Sequence, residues 1–146
     1  MTSRRFLLDT SALLAHYRRE PGWARVQAWL EESGIEILAA SVSLPEFARR
    51  LRDLGATVEE ARQTVEDYME LLDDLVAIDE AVAFAAFEIG CETAERIPLI
   101  DALIAAAARE REACLVHRDR HMSPIPSSVV EQLDLAKEPD VPKKGP

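Results

Sequence analysis

The sequence predicts an α/β protein: a single domain with a mainly parallel sheet of four to five strands, flanked by helices. Three observations predict it. A length of 146 residues, with 48% hydrophobic and 30% charged, suits one hydrophobic core. Short apolar runs bounded by turn residues alternate with longer stretches at helical spacing. One or two helices separate successive strands, as parallel crossovers require. The apolar fraction is too high for a disordered chain, and five glycines with eight prolines are too few for a low-complexity one. No apolar run approaches the length of a membrane-spanning helix.

Arg4 to Leu8 is a short apolar run closed by Asp9-Thr10-Ser11, which reads as a buried strand followed by a helix cap. Helical patterns follow from Ala12 to Arg19 and from Gly22 to Glu32, broken at Glu20-Pro21-Gly22. Ile35 to Ala39 is a second buried strand. Ser43-Leu44-Pro45-Glu46 opens a helix that stops near Gly55, and Thr57 caps another through Asp73. Leu75 to Ile78 suits a brief strand. Glu80 to Glu95 and Leu99 to Glu112 read as helices separated by Arg96-Ile97-Pro98. Ala113 to Val116 is a strand, and Ser128 to Leu133 a weaker one after the turn at Pro124-Ile125-Pro126. The domain is expected over residues 1–136, with 137–146 a flexible Pro/Lys-rich tail.

A net charge of −10 argues at first against nucleic acid. Nine acids, however, fall between Glu59 and Glu80 against one base, Arg62, and read as a solvated helix face. Basic residues cluster at Arg49-Arg50-Leu51-Arg52 and at His117-Arg118-Asp119-Arg120-His121, and all three lysines lie at or beyond Lys137. Cys91 and Cys114 both sit in apolar stretches, which suits a reducing compartment. With no leader-like segment at Met1 to Asp9, the cytoplasm is the expected location, away from membranes. Trp23, Trp29, Phe84 and Phe87 fall on helices and are expected in the core or at a subunit contact.

Four acids stand out by position. Asp9 ends the first strand, Glu46 lies just beyond the second, Asp101 is in the first turn of a helix, and Asp119 follows the strand ending near Val116. In an open parallel sheet, strand carboxyl ends and the helix starts that follow share one edge, where ligands bind. Two carboxylates ~4 Å apart repel by roughly 4 kcal/mol at an effective dielectric of about 20. Hard divalent cations relieve that repulsion, and Mg²⁺ or Mn²⁺ suits a site of a few carboxylates and waters. Such ions can activate water for phosphodiester hydrolysis. Each acid also fits an ordinary role. Asp9 suits a helix cap, Glu46 a capping box with Ser43 or an ion pair with Arg49 or Arg50, Asp101 the helix dipole, and Asp119 a turn.

Phe6-Leu7-Leu8-Asp9-Thr10-Ser11-Ala12-Leu13 resembles the opening of a PIN domain. Ser43-Leu44-Pro45-Glu46-Phe47 resembles its second acidic motif, and Ile97 to Ala106 is similar to its third, the most specific of the set. Leu115-Val116-His117-Arg118-Asp119 resembles the fourth. Order and spacing are similar to the compact VapC-type toxins of prokaryotic toxin–antitoxin pairs over residues 4–134. The resemblance implies a Mg²⁺- or Mn²⁺-dependent endoribonuclease that acts on RNA, forms a homodimer and is silenced by a cognate antitoxin. It implies Asp9, Glu46, Asp101 and Asp119 as catalytic, metal-binding acids, with Thr10 or Ser11 supporting the first.

Two positions depart from the pattern: His117 stands where a small hydroxyl residue is usual, and Met122 where an aromatic is usual. His117 is a candidate for an RNA phosphate contact or simply a strand end. Arg118 and Arg120 are candidate phosphate contacts or solvated surface residues. A His117–His121 zinc pair is a poor match, since the segment runs from strand into turn. The missing lysines disfavour a receiver domain, a haloacid-dehalogenase-type phosphatase and a P-loop, and no G-x-S-x-G occurs. The rival reading is a catalytically silent PIN-like module that binds RNA or a protein. The helices between Ala12 and Arg52 are the expected homodimer contact.

Overall fold

Five parallel strands form one sheet in a computed structural model that describes residues 4–118 and 120–137. The order along the chain is β1 (Arg4–Leu8), α1 (Thr10–Arg18), α2 (Trp23–Glu31), β2 (Ile35–Ala40), α3 (Ser43–Asp53), α4 (Val58–Leu71) and β3 (Asp74–Val76). Then come α5 (Glu80–Glu92), α6 (Leu99–Glu110), β4 (Cys114–His117) and β5 (Gln132–Asp134), with short 3₁₀ turns at Arg120–Met122 and Leu135–Lys137. The strands lie in the order β3-β2-β1-β4-β5. The chain therefore works outward from β1 on one side, then returns to its other side, so the order reverses between β1 and β4.

The alternation of side chains along each strand divides the core in two. Phe6, Leu8, Ile37, Ala39, Cys114 and Val116 face α1 to α4, where they meet Leu13, Val26, Trp29, Phe47, Leu51 and Tyr68. Leu7, Leu38, Ala40, Val76 and Leu115 face α5 and α6. Because both faces are covered, the strands carry continuous apolar runs rather than an apolar–polar alternation. Ala102 and Ala105 to Ala108 make α6 slim enough to lie directly on the sheet. At the foot of α2, Gly22 holds φ +100°, and a Cβ there would stand 2.8 Å from that of Leu135. The position needs glycine on both counts.

The nine acids from Glu59 to Glu80 are all exposed. Thr57 and Glu60 close a reciprocal capping box at the start of α4. Trp29 is buried and stacks on Phe6 at 4.0 Å between ring centres, and Trp23 is half-buried. Phe84 and Phe87 are not core residues: they stand 62% and 70% exposed on the outer face of α5. Cys114 is buried, which pushes its thiol up to about 11, but Cys91 is exposed on α5, contrary to its apolar sequence context. The final strand also differs from expectation. Residues 126–130 form a turn, with the Val129 and Val130 amides both donating to the Pro126 carbonyl, and pairing with β4 begins only at Gln132. Residues 138–146, most of the expected tail, lie outside the described residues.

Candidate functional site

Asp9 follows β1 directly, and its own N–H bonds the Val116 carbonyl of β4 at 3.0 Å. It is thus anchored at the carboxyl ends of the two strands where the sheet order reverses, the usual place for a ligand cleft in an open α/β sheet. The side chain is buried and caps α1. Asp9 Oδ1 accepts from the Ala12 N–H at 2.8 Å and from the Ser11 hydroxyl at 2.7 Å. Ser11 Oγ in turn accepts the Arg118 backbone N–H at 2.8 Å. One hydroxyl therefore joins the first acid to the segment that leaves β4.

Glu46 sits in the first turn of α3 and accepts a hydrogen bond from the Thr10 hydroxyl, so the second acid is held from α1. A capping box with Ser43 does not form. The residue before α3 is Val42, while Ser43 lies inside the helix, buried, with its hydroxyl unpartnered. Asp101 is in the first turn of α6 with its side chain 13% exposed, and its Oδ2 lies 3.9 Å from Nδ1 of His121.

These three carboxylates, brought from distant parts of the chain, line one open cleft of about 420 Å³. Thr10, Ser11, Leu14, Arg50, Pro98, Ile100 and His121 complete its walls. Asp9, Glu46 and Asp101 each stand at a helix N-terminus. The positive end of a helix dipole favours a nearby carboxylate by about 0.3–1 kcal/mol, so the helices offset part of the repulsion among the acids.

Other expected site residues fall elsewhere. His117 is buried in β4, with Nε2 3.0 Å from Oε1 of Gln132 on β5, and it does not line the cleft. His121 does line it, so the two histidines do not share a zinc site. Arg118 reaches Glu20 at 3.4 Å and is also absent from the lining. Asp119 and the side chain of Arg120 lie outside the described residues. Met122, at the other unusual position, is fully buried beside Ile125 and Val130, so packing accounts for its apolar character.

Of the lining residues not expected in the site, Arg50 carried a signal: it lies one turn beyond Glu46, on the same helix face. Pro98 and Ile100 flank Asp101 within its motif. Leu14 and His121 gave no sign of their place.

Among the described residues, no three acidic, histidine or cysteine side chains are drawn together as a ready-made metal cluster. The described residues that line the cleft instead offer carboxylate and hydroxyl oxygens from the starts of three helices, with the His121 ring as a nitrogen donor. Oxygen donors that leave room for retained water match the coordination habits of Mg²⁺ and Mn²⁺. The residues present fit a hard divalent ion.

An open, wholly parallel sheet with an acid-lined cleft at its reversal point defines the class of protein. A PIN domain family model matches residues 6–126, and the chain belongs to that family. Solved structures of similar fold include VapBC2 from Rickettsia felis bound to a DNA fragment from their promoter. That likeness has TM-score 0.72 and 17% identity, and covers 89% of this chain and 98% of that one. DNA-bound VapBC from Salmonella typhimurium is similar at TM-score 0.71 and 21% identity, covering 90% of this chain and 98% of the other. A toxin–antitoxin complex from Klebsiella pneumoniae is similar at TM-score 0.67 and 16% identity, covering 88% and 96%. None of the curated proteins compared with the chain matches it. Among the described residues, no helix is long and apolar enough to cross a membrane.

Proposed function

We propose that this chain is a metal-dependent endoribonuclease and the toxin of a toxin–antitoxin pair. The observation that carries the reading is the meeting of Asp9, Glu46 and Asp101 in one cleft at the reversal point of the sheet. These acids would hold Mg²⁺ or Mn²⁺, with Asp119 as the fourth acid. Once bound, the ion would activate water and stabilise the leaving oxygen of an RNA phosphodiester.

The chain's own residues do the positioning. Ser11 and the Ala12 N–H fix one oxygen of Asp9, and Thr10 holds Glu46. The three helix starts add a favourable dipole at each of these carboxylates.

The similar folds found in VapBC and toxin–antitoxin complexes support an antitoxin partner. Its inhibitory contact sets a basic side chain against the acids, since a guanidinium matches carboxylates in bidentate fashion. The homodimer contact is assigned to Phe84 and Phe87 of α5 with Leu99 of α6, because the larger exposed apolar surface lies there and not between Ala12 and Arg52.

The test is cleavage of labelled RNA by the full chain in Mg²⁺, in Mn²⁺ and in chelator, beside Asp101→Asn. Cleavage should need metal and be lost in the variant. Melting adds a second readout. A cation that binds only the folded state stabilises it by about 2.7 kcal/mol at one hundred times its dissociation constant. Wild type should therefore melt higher in metal, and Asp101→Asn much less so. RNA binding without cleavage in any metal would favour the silent module. Equal metal-induced shifts would make Asp101 a helix-start residue only.

A further inference from the structure

An RNA phosphate approaching this cleft meets three carboxylates, so something on the walls must carry the opposite charge. The chain has no lysine before Lys137, which leaves arginine and histidine. Among the described residues that line the cleft, Arg50 is the one permanent cation. It lies one turn beyond Glu46 on α3, and side chains four apart on a helix share a face. Arg50 is exposed, whereas its neighbours in the basic run have other positions. Arg52 caps the end of α3 by donating to the Ala56 carbonyl at 3.0 Å, and Arg49 does not line the cleft. Arg118, one of the two arginines that the sequence offers beside the acids, is turned to Glu20 with its Nε buried.

We infer that Arg50 is the phosphate-binding residue of the cleft: its guanidinium takes the non-bridging oxygens of an RNA phosphodiester at the mouth. A planar fork pairs two such oxygens at once and stays charged at every working pH. This assignment rests on the ribonuclease reading and names the residue that holds its substrate.

The test compares Arg50→Ala, Arg50→Lys and Arg49→Ala in two assays. The first follows steady-state cleavage of single-stranded RNA by the otherwise wild-type chain. Arg50→Ala should raise KM about tenfold with kcat little changed, the size expected of one exposed charged hydrogen-bonding group. The second measures fluorescence anisotropy of the same RNA on Asp101→Asn in Mg²⁺, across a salt series. Adding Arg50→Ala should weaken binding by a similar factor and flatten the slope of log K against log salt by about 0.7, one phosphate contact fewer. Arg50→Lys should keep the slope and recover part of the affinity. Arg49→Ala removes the same charge from the same helix and should change neither readout appreciably.

Equal effects of Arg49→Ala and Arg50→Ala would overturn the assignment, because overall charge would then explain both. Wild-type KM and affinity in Arg50→Ala would overturn it as well. Both results leave the ribonuclease reading standing, whereas absence of cleavage by the wild-type chain would remove that reading and this one together. Arg50 is solvent-exposed, so matched melting curves for the variants check that folding is unchanged.

Discussion

The Ser11 hydroxyl does two jobs at once. It donates to Asp9 Oδ1 at 2.7 Å and accepts the Arg118 amide at 2.8 Å, tying the end of β1 to the loop after β4. Ser11→Ala removes both bonds but leaves the Ala12 N–H on Asp9, so α1 still starts in place. The cost is the orphaned Arg118 N–H, which should lower stability by about 1–2 kcal/mol in urea unfolding. Metal affinity should fall with it, since Asp9 loses one of the groups that fix its rotamer. Ser11→Thr, which keeps the hydroxyl, should restore much of both. A Ser11→Ala chain as stable as wild type would show that the loop is held by other contacts. Thr10 acts on the second acid instead, so its loss should spare the loop and affect Glu46.

At the scale of the element, α4 illustrates how local chemistry places a helix whose outer face is solvated. Thr57 accepts the Glu60 amide at 3.1 Å while the Glu60 carboxylate takes the Thr57 N–H at 2.9 Å. These bonds hold the Glu60 carboxyl below its usual value, the backbone bond contributing most. A depressed carboxyl contributes stability above its unfolded pKa of about 4.5 and loses it as pH falls through the folded value. Thr57→Ala should cost about 1 kcal/mol at neutral pH, as N-cap losses typically do. The difference from wild type should also shrink as pH falls through the lowered folded-state value of Glu60 and the carboxyl takes up its proton. A series of denaturant titrations from neutral to acid pH checks it; a difference that does not depend on pH would assign the cost to the Thr57 cap alone.

Much of this was legible in the sequence, because Thr57-x-x-Glu60 and the apolar strand runs are local signals. Asp9, Glu46 and Asp101 were legible for the same reason, as acids placed just after strands or at helix starts. What was not legible depends on packing across the fold. Ser43-x-x-Glu46 has the capping-box spacing, yet Glu46 is engaged by Thr10 from another helix. Ser128 to Leu133 has strand-like composition, yet Val130 turns into the core and pairing waits for Gln132. The exposure of Phe84, Phe87 and Cys91 depends on which face α6 covers, and α5 gives that face to alanines, Val82 and Ile89.

For the whole molecule, the distribution of charge and apolar surface limits where a second copy can sit. The chain carries −10 overall, and α4 presents an exposed acidic face, so two copies meeting there would repel. On the other side of the sheet, Phe84, Phe87 and Leu99 are 62%, 70% and 72% exposed, beside a shallow apolar groove lined by Ala86, Gly90, Ile97, Pro98 and Ala102. Pro98 also lines the acid cleft, so a partner seated on this surface would border the cleft and lengthen it into a groove for an extended strand. Dimer formation and substrate binding are then expected to share one edge of the molecule. Phe87→Glu should raise the dimer dissociation constant about thirtyfold or more, as expected for a buried aromatic anchor worth about 2 kcal/mol. It adds a further negative charge to each already acidic copy at their line of contact. The fold should be unaffected, because the Phe87 ring makes little of the core. Sedimentation velocity at micromolar concentration should show a wild-type dimer and a Phe87→Glu monomer with matching circular dichroism. RNA cleavage by that monomer should then show a higher KM on long substrates than on short ones, because the groove has lost its second half. A wild-type chain that sediments only as a monomer would remove the contact, and a variant that remains a dimer would move it away from α5.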